Sequence, residues 1–427
     1  LNLKRLARYK MSTIRLYYGR DSGEMVRKIE AALVDEESRK SVSVIQVRET
    51  VLQDDVIEAI VKLIIKGSIE TIQLDDCGAY LNKSAVQMAK ALGACKHVHL
   101  SESTFLTKFF LESFLVSATK LQSLRIQDLL LVEQVEALSN GLRSNKTLHT
   151  LDLSRSRIDD FSVLAEGLNG SCVKRIKLRS MGLHDTHVTA MMKSLKACPI
   201  LESLDLSFNH IQSLTTLGNF LSCSQCNLSD LSIGYQNIWQ SPSIKIDYLT
   251  EALKVNETLT TLRLPRNKLS DSDAILISAA LMENSTLENL DVRGNNLSDI
   301  GIIRLAETAR DNSKGGLRRI YTSNNPFGVI GSHALLEAAM INFNLLHIDN
   351  CKDDKINQQI RYQIALNRGG RKLLFEDPPL ALWPLVMERS QLVSKEYDTN
   401  DNNSISMEFD TSSYDFDMRS DVLFYLL

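Results

Sequence analysis

The chain of 427 residues is 44% apolar and carries a formal net charge of -3. It therefore has material for a continuous core and no general attraction to nucleic acid or to an anionic membrane, either of which needs a basic patch or stripe. Its seven cysteines are odd in number and dispersed, which excludes a dense disulfide scaffold and reads as reduced thiols in a cytoplasmic or nuclear protein.

Residues 1–20 hold Lys4, Arg5, Arg8, Lys10, Arg15 and Arg20 without an acid and read as a basic flank; organellar transit peptides share that bias. The chain opens on Leu1 rather than methionine, which leaves room for a preceding segment. From Glu24 to Leu33 the apolar spacing is helical, so residues 21–40 are expected to form a cap over the adjoining core, and SVSVIQV reads as the first strand. The apolar runs IVKLII and VLFYLL fall far short of the roughly 20 residues of a membrane-spanning helix, and no membrane partner is expected.

Residues 41–352 are periodic. In LESLDLSFNHI, Leu201, Leu204, Leu206 and Ile211 are apolar, and Asn209 stands where a short strand must end and turn. Leu204 and Leu206 alternate toward a core while Asp205 and Ser207 point away. The Asn209 amide can bond peptide groups that the turn leaves unpaired, in its own copy and the next. Copies aligned on Leu204 place Ile45, Ile72, Val98, Leu124, Leu151, Ile176, Leu231, Leu262, Leu290, Ile320 and Ile348 at the equivalent position, 25 to 31 residues apart. Each spacer has room for a helix. DDVIEAIVKLIIKG starts with Asp54 and Asp55 at its positive end and stops at Gly67; SDSDAILISAALMEN has cap residues from Ser270 to Asp273 and buries Ala274, Ile277 and Leu281.

Parallel strands lie about 4.8 Å apart while packed helices need roughly 8 to 10 Å, so such an array must curve with its sheet inside. About twelve strands give a concave arc of roughly 58 Å. Helix ends repeat Asn145-Lys146-Thr147-Leu148, Asn256-Glu257-Thr258-Leu259 and Asn284-Ser285-Thr286-Leu287. The triplets match the glycosylation acceptor, but a left-handed asparagine cap before the next copy's leucine is the preferred reading.

The period, the helix in every spacer and the Asn-x-Thr-Leu punctuation resemble the ribonuclease-inhibitor-like class of leucine-rich repeat proteins, from about Val44 to Cys351. That class contains the activators of the Ran GTPase. The resemblance implies an α/β solenoid, a horseshoe with a parallel concave sheet and convex helices. Its matching residues are structural ones, so it says little about the ligand. Thr50, Cys77 and Ser103 stand where the pattern wants asparagine, and a less regular ladder is expected at Thr50 and Ser103.

Beyond the repeats, residues 353–394 are expected to form a helical cap: DKINQQIRYQIALNRGG stops at Gly369 and Gly370, and Trp383 lies in an apolar run after it. Residues 395–427 are acidic and polar, with disorder expected and Phe409, Tyr414 and Phe416 interleaved among acids.

Chemistry-bearing groups are sparse. Cys223 and Cys226 lack a second pair for zinc and lie beyond a spacer helix rather than at a helix start, so they read as ordinary thiols. His97 and His99 share a strand face without a third ligand nearby, and His184 and His187 read as a solvated helix start. Phosphate-binding glycine loops, nucleophile elbows and zinc histidine pairs are missing from the sequence, so no cofactor, metal or active centre is expected.

The informative positions face the inside of the arc. Asp75, Asp76, Glu102 and Asp128 come first; Arg155, Arg175, Lys177 and Arg179 come after them, so the field is expected to reverse sign along the groove. Phe208 and Tyr235 share one offset in consecutive copies, with Arg263, Arg266 and Arg293 beyond. Aromatics and arginines dominate interface energetics, so a protein partner is expected there, with steering by the charged segments. The chain is expected to be a monomeric, noncatalytic protein-binding scaffold. The alternatives are a regulator of a Ran-type small GTPase, which would orient groups on the bound enzyme, and the ligand-sensing arm of a longer chain.

Overall fold

The computed structural model describes residues 13–17, 22–34, 40, 42–79, 83–103, 105–129, 131, 133–195, 200–236, 243–312, 316–349, 351, 353–371, 386 and 388–389. The expected acidic tail lies outside these residues, as do residues 372–385, 387 and 390–394 of the expected helical cap and the start of the basic flank. Two compact units, residues 1–360 and 361–427, divide the chain.

The first unit holds a single parallel sheet whose strand order is the chain order. Its strands are β1 (Thr13–Tyr17), β2 (Val44–Leu52), β3 (Thr71–Ala79), β4 (His97–Ser101), β5 (Ser123–Gln127), β6 (Thr150–Asp152), β7 (Arg175–Lys177), β8 (Ser203–Asp205), β9 (Asp230–Ser232), β10 (Thr261–Arg263), β11 (Asn289–Asp291), β12 (Arg319–Tyr321) and β13 (His347–Ile348). A helix succeeds every strand from β1 to β12, and the helices pack side by side along the other face. This is a leucine-rich repeat solenoid.

The phase read from the sequence is the observed register. Ile72 pairs with Val98, Leu204 with Leu231, and Ile320 with Ile348. The residue at this position and the one two further on point into the core: Leu204, Leu206, Leu231 and Ile233 are fully buried. Burying both apolar side chains of each strand contributes about 1.5–3 kcal/mol apiece, more than the backbone of so short a strand could supply by itself.

One strand was missed. Thr13–Tyr17, expected within a basic flank, is the first strand of the sheet and pairs in parallel with β2 through Ile14 and Ile45. Ile14 and Leu16 are the buried pair and Arg15 faces out, so one exposed cation per strand turn is compatible with full sheet membership.

Two asparagine columns tie the repeats together. At the strand ends, Asn209 Nδ2 donates to Leu178 O of the preceding repeat at 2.8 Å and to Leu206 O at 2.7 Å, while its Oδ1 accepts from Met181 N and Leu183 N. Gln236, Asn267, Asn295 and Asn325 continue this column. Cys77 and Ser103 make thinner rungs, to Val47 O at 3.5 Å and Leu74 O at 3.3 Å.

The second column corrects the expected left-handed caps. Asn145, Asn256 and Asn284 close their helices in extended backbone, with φ of -78°, -81° and -86°. Extended backbone turns the amide both ways: Asn284 Oδ1 accepts from Thr286 N and Leu287 N, and Nδ2 donates to Leu253 O one repeat back. The recurring asparagine is therefore a buried structural rung.

Helix starts are also cross-linked. Ser270 and Asp273 form a capping box at Asp271–Glu283, and Asp271 accepts from Ser298 and Gly301 at the start of the next helix. In the second unit, the end of the helix Asp354–Arg368 is closed by Gly369 N bonding Ala365 O, with Gly370 left-handed at φ +94°.

Candidate protein-binding surface

In each repeat one residue immediately precedes the rung position of the first column. At this position eleven consecutive repeats, from Glu49 to Asn324, have a positive φ. The residues run Glu49, Asp76, Glu102, Asp128, Arg155, Ser180, Phe208, Tyr235, Arg266, Gly294 and Asn324. Left-handed backbone costs a residue other than glycine about 1–2 kcal/mol and persists where its surroundings over-determine it. Here the amide is committed to the neighbouring repeat: Phe208 N donates to Gly234 O at 2.9 Å, Tyr235 N to Pro265 O at 2.8 Å and Arg266 N to Arg293 O at 2.8 Å. After Phe208, Tyr235 and Arg266 the next side chain, Asn209, Gln236 or Asn267, is locked in the first column. The array thus presents a row of side chains in one fixed backbone conformation.

In the middle of that row the side chains stack. The Phe208 and Tyr235 rings lie 4.2 Å apart at 14°, the Arg179 guanidinium sits 5.1 Å from the Phe208 centroid, and Arg266 caps the other side 5.5 Å from Tyr235. Cation–π attraction is worth about 0.5–1 kcal/mol at exposed sites and aromatic pairing about 0.5–1.5 kcal/mol. Arg266 also packs against the glycine in the next position, where a Cβ on Gly294 would meet its Cγ at 2.6 Å.

Of the residues singled out in the sequence, Arg179, Phe208, Tyr235 and Arg266 are brought together. Arg263 is held instead by Asp230 on the neighbouring strand. Arg293 pairs with Asp291 at 2.7 Å and covers a second ring pair that the sequence reading missed, Tyr321 tilted at 39° against His347 with 4.5 Å between centroids. The signal was available, because Tyr321 and His347 occupy outward strand positions. Arg155 is bound by Asp128, one repeat short of the stack. Asp75 bonds Arg48 at 3.1 Å and Ser101 at 2.8 Å, and Asp76 lies exposed beside it, far along the array.

The sheet face is thus more neutral than a count of its charges suggests. Arg125 pairs with Asp152 at 3.0 Å and Arg179 with Asp205 at 3.7 Å, in addition to the pairs at Arg48, Arg155, Arg263 and Arg293. Beside them His99 is half-buried, with its Nε2 unbonded among the described residues. Burial, and then the charge of Arg125, push its pKa below the usual histidine range.

The most deeply buried thiols are structural. Burial pushes Cys77 and Cys95 up to about 12, so neither is a ready nucleophile. Cys226 N closes a turn onto Cys223 O at 3.0 Å, with no helix N-terminus at the pair. Among the described residues no group of three His, Cys, Asp or Glu side chains is placed to hold a metal, and no helix is long and apolar enough to cross a membrane.

A family model for the leucine-rich repeat matches residues 144–162, 197–214, 255–278 and 283–306. The chain is a leucine-rich repeat protein. Protein PAC2 of Saccharomyces cerevisiae is 26% identical over 147 residues, 34% of this chain, and the chain spans about a quarter of that relative, 26% of its length. Among solved structures it is similar to an internalin of Listeria monocytogenes, with 16% identity, a TM-score of 0.41 and coverage of 78% of this chain and 95% of that one. The tropomodulin C-terminal domain of Caenorhabditis elegans is 17% identical with a TM-score of 0.30, covering 33% of this chain and 86% of that one.

Proposed function

We propose that this chain is a noncatalytic protein-binding scaffold of the ribonuclease-inhibitor-like class, which docks a protein partner on the concave sheet face. The observation that carries the reading is the Arg179–Phe208–Tyr235–Arg266 stack. Large aromatic surfaces beside arginines are the residue types that supply most interface energy. Here they are already immobilised by backbone bonds to neighbouring repeats, so little ordering entropy is left to oppose binding. A helix in every spacer supports the class, and a reducing compartment accords with the free thiols, of which Cys77, Cys95, Cys226 and Cys351 are buried.

The test replaces Phe208, Tyr235 and Arg266 together by alanine and compares proteins recovered by affinity purification. Loss of the recovered partner is expected, while alanines at the exposed helix-face residues Val116, Ile275 and Ile300 leave it in place. Unchanged recovery with the first variant overturns the assignment. Single-turnover GTP hydrolysis by Ran-type and other small GTPases, with and without the chain, separates the scaffold from the GTPase regulator: acceleration would replace the scaffold reading.

A further inference from the structure

The ion pairs across neighbouring strands cancel most charge on the sheet face, and what remains uncancelled is segregated. Glu49, Asp76 and Glu102, exposed in three consecutive repeats of the left-handed row, have no ion pair among the described residues. Toward the other end, Arg175, Lys177 and Arg266 are likewise without a carboxylate partner among the described residues. Arg175 and Lys177 lie on β7, immediately before the stack, and Arg266 closes it. Arg15 lies beyond the acidic run, bonded to Gln46 Oε1 at 2.9 Å. The surface therefore offers acids first, then two aromatic rings bracketed by cations.

Resting on the docking surface proposed for the Phe208–Tyr235 stack, we infer that the partner presents the complementary order: an extended protein segment in which an apolar or aromatic side chain is flanked by carboxylates, with lysines or arginines displaced to one side. From Asp76 on β3 to Phe208 just after β8 there are five strand steps, about 24 Å at roughly 4.8 Å each. An extended chain covers that distance in about seven residues, which sets the separation of the two blocks. Misordered charges would put like against like, which costs more than the matched order gains and so serves as a filter against wrong partners.

The experiment uses the full chain and three fluorescent synthetic peptides: a bipolar one with the sequence blocks Glu-Trp-Glu and Lys-Lys-Lys seven residues apart, a permutation of it with alternating charges, and a third with the lysines replaced by glutamine. The bipolar peptide is expected to bind about tenfold more tightly than the permutation at low salt, with the advantage shrinking as salt is raised. The triple variant Glu49→Gln, Asp76→Asn, Glu102→Gln, which keeps side-chain size, should remove that advantage and leave the glutamine peptide unaffected. Equal affinity of the bipolar and permuted peptides, no binding of the bipolar peptide at millimolar concentration, or an advantage that survives the triple variant overturns the inference. Phe208→Ala with Tyr235→Ala should weaken all three peptides. If it weakens none while the charge order still matters, the docking surface is misplaced but the polarity stands.

Discussion

Phe208 and Tyr235 stack face to face, 4.2 Å between centroids, and both rings are carried on left-handed backbone at φ +62° and +59°. Neither residue favours that conformation by itself; a bulky side chain there is an outlier. The stacking and the inter-repeat amide bonds hold them in it.

The strain and the stacking can be separated by two substitutions at one position. Phe208→Ala loses the ring contacts and keeps the strain; Phe208→Gly loses the same contacts and relieves it. The glycine variant is expected to be the more stable of the two by about 1 kcal/mol, read from urea unfolding midpoints. An alanine variant as stable as the glycine one would show that the left-handed backbone carries no strain.

The two asparagine columns should respond alike. Asn209→Ala and Asn284→Ala each leave several buried backbone groups unpaired, at about 1–3 kcal/mol per group, so each is expected to cost at least about 2 kcal/mol. Ser103→Ala removes a thinner rung and should cost about 1 kcal/mol or less. Thermal melts of the three variants decide; a neutral Asn284→Ala would contradict the second column.

His99 predicts a pH dependence. Its folded pKa lies below the ordinary value of about 6.5, held down by burial and by Arg125, with Asp75, Asp152 and Gln127 around it pulling the other way. The unfolded chain therefore binds a proton that the folded one refuses as pH falls below about 6.5, and stability is lost from there down through the lowered pKa. His99→Gln should flatten unfolding midpoints between pH 7 and 5; identical slopes in the two proteins would count against it.

The repeat phase was legible because two apolar residues per strand and a polar rung recur with little noise, and these are the residues that fix register. The row of left-handed residues was not, because only Asp76, Asp128, Gly294 and Asn324 in it are types that adopt that backbone readily; glutamate, arginine, phenylalanine and tyrosine are forced into it by the next repeat. The asparagine caps misled for a related reason, since their side chains bond across repeats. Phe208, Tyr235 and Arg266 could be picked by offset and residue type, but Arg179 enters the stack from the preceding repeat one position earlier, and the partners that hold Arg155 and Arg263 depend on which strands are neighbours. β1 escaped notice because its two buried residues sit in a sequence rich in cations, with glycine rather than asparagine at position 19.

The most direct test of the proposed docking surface is site-specific photo-crosslinking in cells, with a benzophenone amino acid placed at Phe208 in one variant and at Ile275 on the helix face in another. A discrete crosslinked protein is expected from position 208 and none from position 275. Crosslinks confined to position 275, or the same products from both, would contradict docking on the concave face.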